Sequence, residues 1–322
     1  MINTPRKAAS VSSSRLAATL LFLFPCLAIS PSVAAAQAGE GPVVLRLPNS
    51  ARILAMGNAG IASSDGDALL YNPGMLSASR GASLSVQRYG SQATAGAFGS
   101  TTVSGNFTYG FGVQFLDWRA PSLPYSQSVE AGASHLSDSG MIAASSSAFT
   151  AGIARTIKGF RLGVGVKYAE ERFGAVHDGT IAVDFGATKP AGPGAIGVVV
   201  QNIGAGTRFN GETGKLPRRI GIGFGGGLFP LNEYFDIGAQ MQLTVEGDDW
   251  FVRPAGGVEL GYVPIEGVSI VVRTGLRLPR EPDEPLVTGG LGFNVDRFSL
   301  DYAMEPFRGG RPVSHRLGVR VR

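Results

Sequence analysis

Hydrophobic and polar residues alternate along most of the chain. Between Phe160 and Tyr168 every even-numbered position is apolar, whereas Arg161, Lys167 and two glycines occupy the odd-numbered positions. A period of two residues predicts a β-strand with one apolar and one polar face. The segment 234–246 keeps the same alternation throughout, and strands of this length and regularity are rare in soluble sheets.

Segments of this kind recur to the end of the chain. About fourteen strands are predicted, at residues 81–90, 93–101, 106–118, 147–157, 160–173, 179–188, 194–203, 218–228, 234–246, 250–263, 268–278, 286–295, 297–305 and 312–321. Mean hydropathy is +0.14, yet no run approaches the ~20 apolar residues of a membrane helix. The pattern predicts an all-β fold, a transmembrane antiparallel β-barrel of about 14 strands in the bacterial outer membrane.

The first residues have the features of an export signal. Arg6, Lys7 and Arg15 precede an apolar stretch at 16–29, and small residues follow, which predicts a cleaved signal peptide at 1–38. The lone cysteine, Cys26, falls within it. Without the three basic residues the charge is 28 − 3 = 25 positive against 24 negative. This balance predicts no nucleic-acid partner.

The polar faces of the strands are expected to line the lumen, since the apolar faces must contact lipid. Opposite charges on neighbouring strands can then pair inside the barrel. The lumen-facing charged residues predicted in this way are Arg161, Lys167, Arg219, Asp236, Arg253, Glu259 and Arg273, with Arg277, Arg316 and Arg320 on the same faces. The two tryptophans, Trp118 and Trp250, fall at outer strand ends, which predicts positions in an aromatic girdle.

Glycines on the polar faces leave the predicted lumen wide. A barrel of about 14 strands cannot be filled by its own side chains, so another segment or water must occupy it. Residues 39–79 show no strand alternation and contain short helical tracts, and they are predicted to form a hatch inside the barrel of residues 80–322. Within the hatch, Asp65 or Ser64 is expected to cap a turn at 68–71 that ends before Pro73.

The stretch ARILAMGNAGIASSDGDALLYNPGML, residues 51–76, resembles the N-terminal signature of PorV/PorQ-like outer-membrane proteins, which are relatives of the FadL-type transporters. Similarity continues through residues 162–173, 182–187, 197–204 and 216–226. The resemblance implies a 14-stranded barrel with an N-terminal helical hatch in the lumen. Arg52, Met56, Asp65, Tyr71, Asn72 and Pro73 match the signature and are the candidate hatch or gating residues.

The resemblance leaves two functions open. In the PorV branch the barrel docks or shuttles secreted proteins for a type IX-like secretion machine, which is the function favoured here, with the long outer loop 120–148 as a candidate contact surface. The alternative is a FadL-like channel for uptake of hydrophobic small molecules. Partners are therefore outer-membrane lipids together with secretion-machine subunits, secreted proteins or hydrophobic small molecules.

Enzymatic and cofactor chemistry find no support in the sequence. The glycine-rich stretch 221–226 matches a dinucleotide fingerprint, but it lies within a predicted strand and no helix follows it. His135, His177 and His315 are the three histidines and lack metal-ligand spacing. Asp65 and Asp67 together provide too few oxygen ligands for a cation site. No enzyme activity, cofactor or metal is predicted.

Overall fold

The computed structural model describes residues 41–91, 93–121, 141–209 and 212–322. The predicted signal peptide at 1–38 and the first two residues of the predicted hatch lie outside the described residues. No helix in the described ranges is long and apolar enough to cross a membrane.

Within the described ranges, seventeen strands follow one another after a short helical segment. They are β1 (Gly81–Tyr89), β2 (Ala93–Ser104), β3 (Phe107–Pro121), β4 (Met141–Ile157), β5 (Phe160–Phe173), β6 (Val176–Ala191), β7 (Gly194–Gly204), β8 (Thr207–Phe209), β9 (Glu212–Gly214), β10 (Arg219–Gly225), β11 (Phe229–Pro230), β12 (Phe235–Glu246), β13 (Phe251–Ile265), β14 (Val268–Arg277), β15 (Val287–Val295), β16 (Phe298–Glu305) and β17 (Ser314–Val321).

Fourteen of these strands close into an antiparallel barrel. Strands β1–β7, β10 and β12–β17 each pair with their neighbours in the chain, and β1 pairs with β17, from Ala82 opposite Val321 to Arg88 opposite His315. The strands β8 and β9 form a separate hairpin, and β11 is a two-residue addition to β12. The prediction of a barrel of about 14 strands is confirmed.

Two predicted connections differ in extent. Strands β3 and β4 pair up to Pro121 opposite Met141, so the outer connection predicted from Arg119 to Ser146 shortens to residues 122–140, which lie outside the described part of the chain. The other long outer connection, between β7 and β10, contains the β8–β9 hairpin. At the opposite end the turns are short. Lys158 and Gly159 both have positive φ, the conformation that two-residue hairpin turns require.

The apolar faces of the strands point outward. Phe160, Leu162, Val164, Val166 and Tyr168 are all exposed on β5, whereas Lys167 between them is buried. A closed barrel satisfies every backbone hydrogen bond within the sheet, and its exposed apolar band is stable only in lipid. The end with the short turns is the periplasmic end of such a barrel. The protein is therefore an outer-membrane β-barrel.

Trp118 departs from the predicted aromatic girdle. Its side chain packs with Val43, Leu45 and Leu47 against a buried cluster centred on Val44 and Leu116, which lies inside the barrel. Residue 118 follows the even-numbered inner face of β3, which Gln114 and Leu116 share. The side chain of Trp118 therefore follows the inward face that the alternation assigns to it, and does not lie at the membrane interface that tryptophan prefers. Trp250 is exposed at the end of β12, beyond Glu246.

The lumen contains a compact helical segment. Residues 43–46 form one 3-10 turn, helix α1 spans Ala51–Ala55, helix α2 spans Ala68–Tyr71, and a second 3-10 helix spans Pro73–Ala78. Helix α1 contacts β14–β17, and the second 3-10 helix contacts β3–β7. Ile53, Leu54 and Met56 are fully buried, as are Leu69 and Leu76. We call residues 41–79 the hatch.

Candidate functional site: the hatch and its contacts with the barrel wall

Arg52 joins the hatch to the barrel wall. It is 4% exposed at the second position of helix α1, which Ser50 caps by accepting a hydrogen bond from the Ile53 amide at 3.4 Å. The Arg52 guanidinium donates to Asp65 of the hatch, Nη1 to Oδ2, at 2.8 Å. It also donates to both carboxylate oxygens of Glu259 on β13, with Nε to Oε2 at 3.1 Å. One side chain therefore links two parts of the hatch to the wall.

The wall completes a closed ring of alternating charges. Arg273 on β14 lies opposite Glu259 in register and donates to it at 2.9 Å. Its second nitrogen reaches Asp301 on β16 at 2.8 Å. Arg320 on β17 donates to Asp301 and to Asp65, each at 2.6 Å. Each of the three arginines thus contacts two of the three carboxylates, and each carboxylate contacts two of these arginines.

Gly292 makes room for this ring. Arg273 must cross β15 to reach Asp301 on β16, and Gly292 pairs with Asp301 across the sheet. A Cβ on Gly292 would lie 2.5 Å from the Arg273 guanidinium. A larger residue there would displace the arginine and open the ring. We call Arg52, Asp65, Glu259, Arg273, Asp301 and Arg320 the charge ring.

The charge ring avoids the usual penalty of buried ions. Isolated buried charges cost several kcal/mol each, unless excellent geometry and further hydrogen bonds compensate for lost hydration. Burial alone would raise the pKa of Asp65, but the charges of Arg320, Arg52 and Arg322 outweigh it and hold the pKa well below its usual range. Asp65 is therefore ionised in the closed hatch at neutral pH.

Asp67 is buried close to the ring and is not a member of it. Its side chain is 1% exposed, and neither carboxylate oxygen forms a hydrogen bond of ordinary geometry. Burial and the charge of Asp65 raise its pKa to about 7, although Arg320 and the hydroxyls of Ser50 and Ser83 act in the opposite direction. Asp67 therefore changes protonation near neutral pH while Asp65 stays charged.

The hatch meets the opposite wall through close backbone packing. A Cβ on Gly163 of β5 would lie 2.2 Å from the Pro73 carbonyl oxygen. On Gly186 of β6 it would lie 1.9 Å from the Asn72 Oδ1 atom and 2.6 Å from the Gly74 nitrogen. Only glycine allows the wall to approach the Asn-Pro-Gly stretch this closely. We call this the glycine contact.

Tyr71 and Asn72 hold the hatch segments to one another. The Tyr71 hydroxyl accepts from the Asn49 and Ser50 amides at 2.9 and 3.0 Å. The Asn72 side chain donates to the Ile61 carbonyl at 2.9 Å and accepts from the Gly74 amide at 2.9 Å. Both side chains are buried, so these bonds fix the connections before and after helix α2.

The predicted cap of helix α2 is wrong. Asp67 occupies the N-cap position and makes no capping hydrogen bond, and the Asp65 carboxylate pairs with arginines. The predicted end is correct, because α2 stops at Tyr71 and Asn72 is extended before Pro73. Asn72-Pro73-Gly74 does not lead directly into β1 but starts the second 3-10 helix, which Asn72 caps.

Met56 packs where α1 ends. Its backbone lies against Gly257 on β13 and Gly275 on β14, since a Cβ on either glycine would come within 2.6 Å of the Met56 Cα. The next residue, Gly57, donates its amide to the Thr288 hydroxyl at 3.0 Å. The inner-face glycines therefore accommodate the hatch at several points around the wall.

The other predicted lumen charges form separate contacts. The Lys167 Nζ atom lies 2.7 Å from Asp184 and 2.9 Å from the Asn202 side chain, both on adjoining inner faces. Arg219 donates to Gln201 at 3.0 Å. Arg253 donates to the Leu278 carbonyl and pairs with Glu246 and Glu284. Arg161 is half-buried on β5, and Asp236 is half-buried opposite Gly261 on β13.

The sequence could have identified two further lumenal acids. Asp301 and Glu305 occupy the polar positions of an alternating segment, 298–305, and Glu305 binds Arg277 at 2.5 Å. Asp301 joins the charge ring. The role of Asp65 had no such signal, because its partner Arg320 is 255 residues away in the chain.

Two cavities lie at the two ends of the hatch. The outer cavity, of about 110 Å³, is bordered by Leu45, Gly57 and Asn58 together with Arg219, Arg253 and Arg277. The periplasmic cavity, of about 470 Å³, is bordered by Arg80 and Arg322 and by Arg52, Glu259 and Arg273 of the charge ring. The hatch therefore separates two lumenal spaces, and arginines border both of them.

The histidines do not form a metal cluster with other ligand residues in the described part of the chain. No group of three or more His, Cys, Asp or Glu residues there could hold a metal ion. His315 forms a 2.7 Å hydrogen bond with the Tyr302 hydroxyl on the outside of the barrel, and His177 lies at the start of β6. His135 lies outside the described residues.

No sequence family and no curated protein matches this chain. Solved structures do resemble it. A deltaS2S3 mutant of the TodX monoaromatic hydrocarbon channel has a TM-score of 0.57 at 10% identity, with 84% of this chain and 97% of that chain covered. A Pseudomonas aeruginosa FadL homologue and the Ralstonia pickettii toluene transporter TbuX each have a TM-score of 0.53, at 10% and 14% identity respectively. For each of the two, 88% of this chain and 98% of the other chain are covered.

These similar proteins are described as a monoaromatic hydrocarbon channel, a FadL homologue and a toluene transporter. The specific resemblance to PorV/PorQ finds no counterpart among them. At these identities the likeness concerns the fold. The chain is an outer-membrane β-barrel with the fold of the FadL-type channels.

Proposed function

We propose that this barrel is a channel that admits hydrophobic small molecules across the outer membrane and that the hatch gates it. The observation that carries the proposal is the position of the hatch between two lumenal cavities, on a fold shared with hydrocarbon channels. A permanent plug would need no space on either side. A hatch that moves needs space on both sides to hold the solute before and after it passes.

The outer end of the lumen supports entry of apolar molecules. Val43, Leu45 and Leu47 of the hatch are half-buried beside Trp118 and Leu116 of β3. These side chains form an apolar lining at the extracellular end of the hatch. Movement of the 3-10 turn at 43–46 would uncover this lining to a molecule arriving from the loops.

The charge ring gives the closed state a defined position. Two of its ion pairs, Arg52 with Glu259 on β13 and Asp65 with Arg320 on β17, join the hatch to the wall, so displacing the hatch requires breaking them. Interfaces of this kind have two discrete arrangements rather than a continuum. The hatch is therefore a two-position gate, with the ring intact when it is closed.

A reversible covalent lock tests gating. A Cβ on Gly318 would lie 3.1 Å from the Ala51 Cβ, a few tenths of an ångström below the Cβ separation of about 3.5–4.5 Å in disulfides, so a small shift of α1 allows the bond. Ala51→Cys/Gly318→Cys ties α1 to β17 when oxidised, and the sequence after Cys26 contains no cysteine to compete. Uptake of radiolabelled toluene by cells that produce this variant is expected to stop on oxidation and to return with a reductant. Each single-cysteine variant serves as the control.

Two outcomes would contradict the proposal at different levels. Undiminished uptake by the oxidised double variant would show that the hatch need not move, although the barrel conducts. The second outcome is that cells with the unaltered protein take up toluene no faster than cells without it, and likewise for a longer aromatic hydrocarbon. That outcome would contradict the proposal that the barrel is a channel.

A further inference from the structure

A groove crosses the lipid-facing wall of the barrel. It has a volume of about 720 Å³ and runs across β4, β5, β6, β7, β10 and β12 in the direction of the strand pairing. Apolar side chains that point away from the lumen line it, namely Ile153, Leu162, Val164, Phe185, Val198 and Ile222. The outer surface of the barrel is thus concave on this side.

The inner face explains the concavity. Behind the groove, Gly163 and Gly186 meet the hatch at the glycine contact. Gly221 and Gly223 of β10 approach Ile61 of the hatch, with an added Cβ at 2.6 and 2.8 Å from its side chain. Since these residues have no side chains, the wall lies closer to the hatch here, and the opposite surface is drawn inward.

Cations surround the periplasmic end of the groove. Arg155 lines it, with its guanidinium carbon 5.3 Å from the centre of the Phe107 ring. Lys189 on β6 lies 5.1 Å over the ring of Phe160. Lys158 forms the exposed two-residue turn between β4 and β5. Arg155 and Lys189 point outward, so their charges lie at the level of lipid headgroups.

No carboxylate offsets these charges nearby in sequence. Residues 139–169 and 185–211 contain no Asp or Glu. Three other periplasmic turns are different, because Glu233, Glu266 and Asp296 lie in or beside those between β10 and β12, β13 and β14, and β15 and β16. The positive rim is therefore specific to the side that carries the groove.

We infer that this groove is a binding site for an anionic glycerophospholipid of the periplasmic leaflet. An acyl chain lies along the apolar groove, while Arg155, Lys158 and Lys189 bind the headgroup phosphate. A guanidinium can donate two parallel hydrogen bonds to phosphate, and lysines add point charges. Basic residues at a membrane surface select anionic lipids over neutral ones. The site does not depend on conduction through the lumen.

Native mass spectrometry of the full chain tests the site. The protein in detergent micelles is titrated with dioleoylphosphatidylglycerol or with dioleoylphosphatidylcholine, and retained lipid is counted per barrel. One phosphatidylglycerol is expected to be retained in preference to phosphatidylcholine. Arg155→Gln is expected to lower its retention about fivefold, with Arg297→Gln at another periplasmic turn as the control.

The groove is tested separately from the charges. Val198→Trp fills it from outside the barrel, and Val319→Trp on β17 is a matched control because Val198 and Val319 are 47% and 46% exposed. The first is expected to abolish retention and the second to leave it unchanged. Shifted migration on unheated gels confirms that each variant is folded. Equal retention of both lipids, or retention unaffected by Val198→Trp, would overturn the inference.

Discussion

The hatch is fixed to the barrel in two different ways on its two sides. Toward β13–β17 it is held by the charge ring, in which Arg52 contacts Glu259 and Asp65 contacts Arg320 of the wall. Toward β5 and β6 it is held by the glycine contact, where backbone meets backbone at Asn72, Pro73 and Gly74. One side depends on the sign and number of charges, the other on the absence of side chains.

The two sides of the hatch can be released in different ways. An ion pair is weakened by protonation and by competing charges, and its charged groups can pair with other residues without distorting the backbone. A glycine contact is insensitive to charge but cannot tolerate even one added carbon. The charged side is therefore the side suited to move in the proposed gate, whereas the glycine side is suited to act as its pivot.

Breaking the charge ring is expected to have the largest effect. Asp65→Asn removes the carboxylate that contacts Arg52, Arg320 and Arg322, and it leaves buried arginines without compensation. Loss of one partner of a buried ion pair costs about 3–5 kcal/mol of unfolding free energy. Urea unfolding in detergent, followed by tryptophan fluorescence, measures the change.

A surface ion pair provides the control for this effect. Asp248 lies 2.6 Å from Lys215 in the loop region, and both side chains are largely solvent-exposed. Asp248→Asn is expected to leave the unfolding midpoint unchanged, since exposed pairs contribute little. Equal destabilisation by both substitutions would mean that burial does not distinguish the ring, and the comparison between the two sides of the hatch would fail.

The glycine side is expected to respond to a single methyl group. Gly163→Ala places a Cβ 2.2 Å from the Pro73 carbonyl oxygen, whereas Gly165→Ala, two residues along the same inner face, meets its nearest neighbour, Leu69, only at 3.4 Å. Overpacking at the first position is expected to cost about 1–3 kcal/mol. The second is expected to be neutral or slightly stabilising, since alanine restricts the unfolded chain.

The same urea titration compares the two alanine variants directly. Because they differ only in their distance from the hatch, the change in backbone entropy and strand propensity that both share cancels. Similar midpoints for both would show that the hatch can withdraw from β5 at no cost. The assignment of this side as the pivot would then be incorrect.

The strands were predictable because one physical rule determines them. Lipid outside and polar space inside enforce a period of two, so Leu162, Val164 and Val166 identify a strand and its outer face together. The ends were less predictable. Strand β10 stops at Gly225, three residues before its predicted end at 228, where three successive glycines offer no side chains to pack.

The charge ring was only partly predictable. Alternation places Glu259 and Arg273 on inner faces of adjacent strands, and the same rule applied to Asp301 would have added a third member. The sequence favours Asp65 or Ser64 as a helix cap, because an acid or hydroxyl before a short helix satisfies local chemistry. Its contacts with Arg320 and Arg322 come from barrel closure, which no local pattern encodes.

The smallest expected effect is the pH dependence that Asp67 gives to the stability of the charged side of the hatch. Its pKa is raised to about 7 in the closed hatch, above the ordinary value near 4, by burial and by Asp65. The folded state therefore binds this proton more tightly than the unfolded state. The resulting stabilisation is complete below about pH 4 and is lost as the pH rises through about 7, with a slope of at most about 1.4 kcal/mol per pH unit.

Unfolding midpoints at pH 5, 6, 7 and 8 measure this slope, and Asp67→Asn is the matched variant because it keeps the shape and cannot ionise. The unaltered protein is expected to lose stability from pH 5 to 8, and the difference from the variant isolates the contribution of Asp67. Tyr71, Arg316 and Arg320 also act on this carboxyl group, but they do not titrate in that range. Because Asp65 stays ionised over this pH range, the slope reports the ionisation of Asp67 beside an intact charge ring. A slope of the opposite sign would mean that Asp67 is charged and paired in the closed hatch.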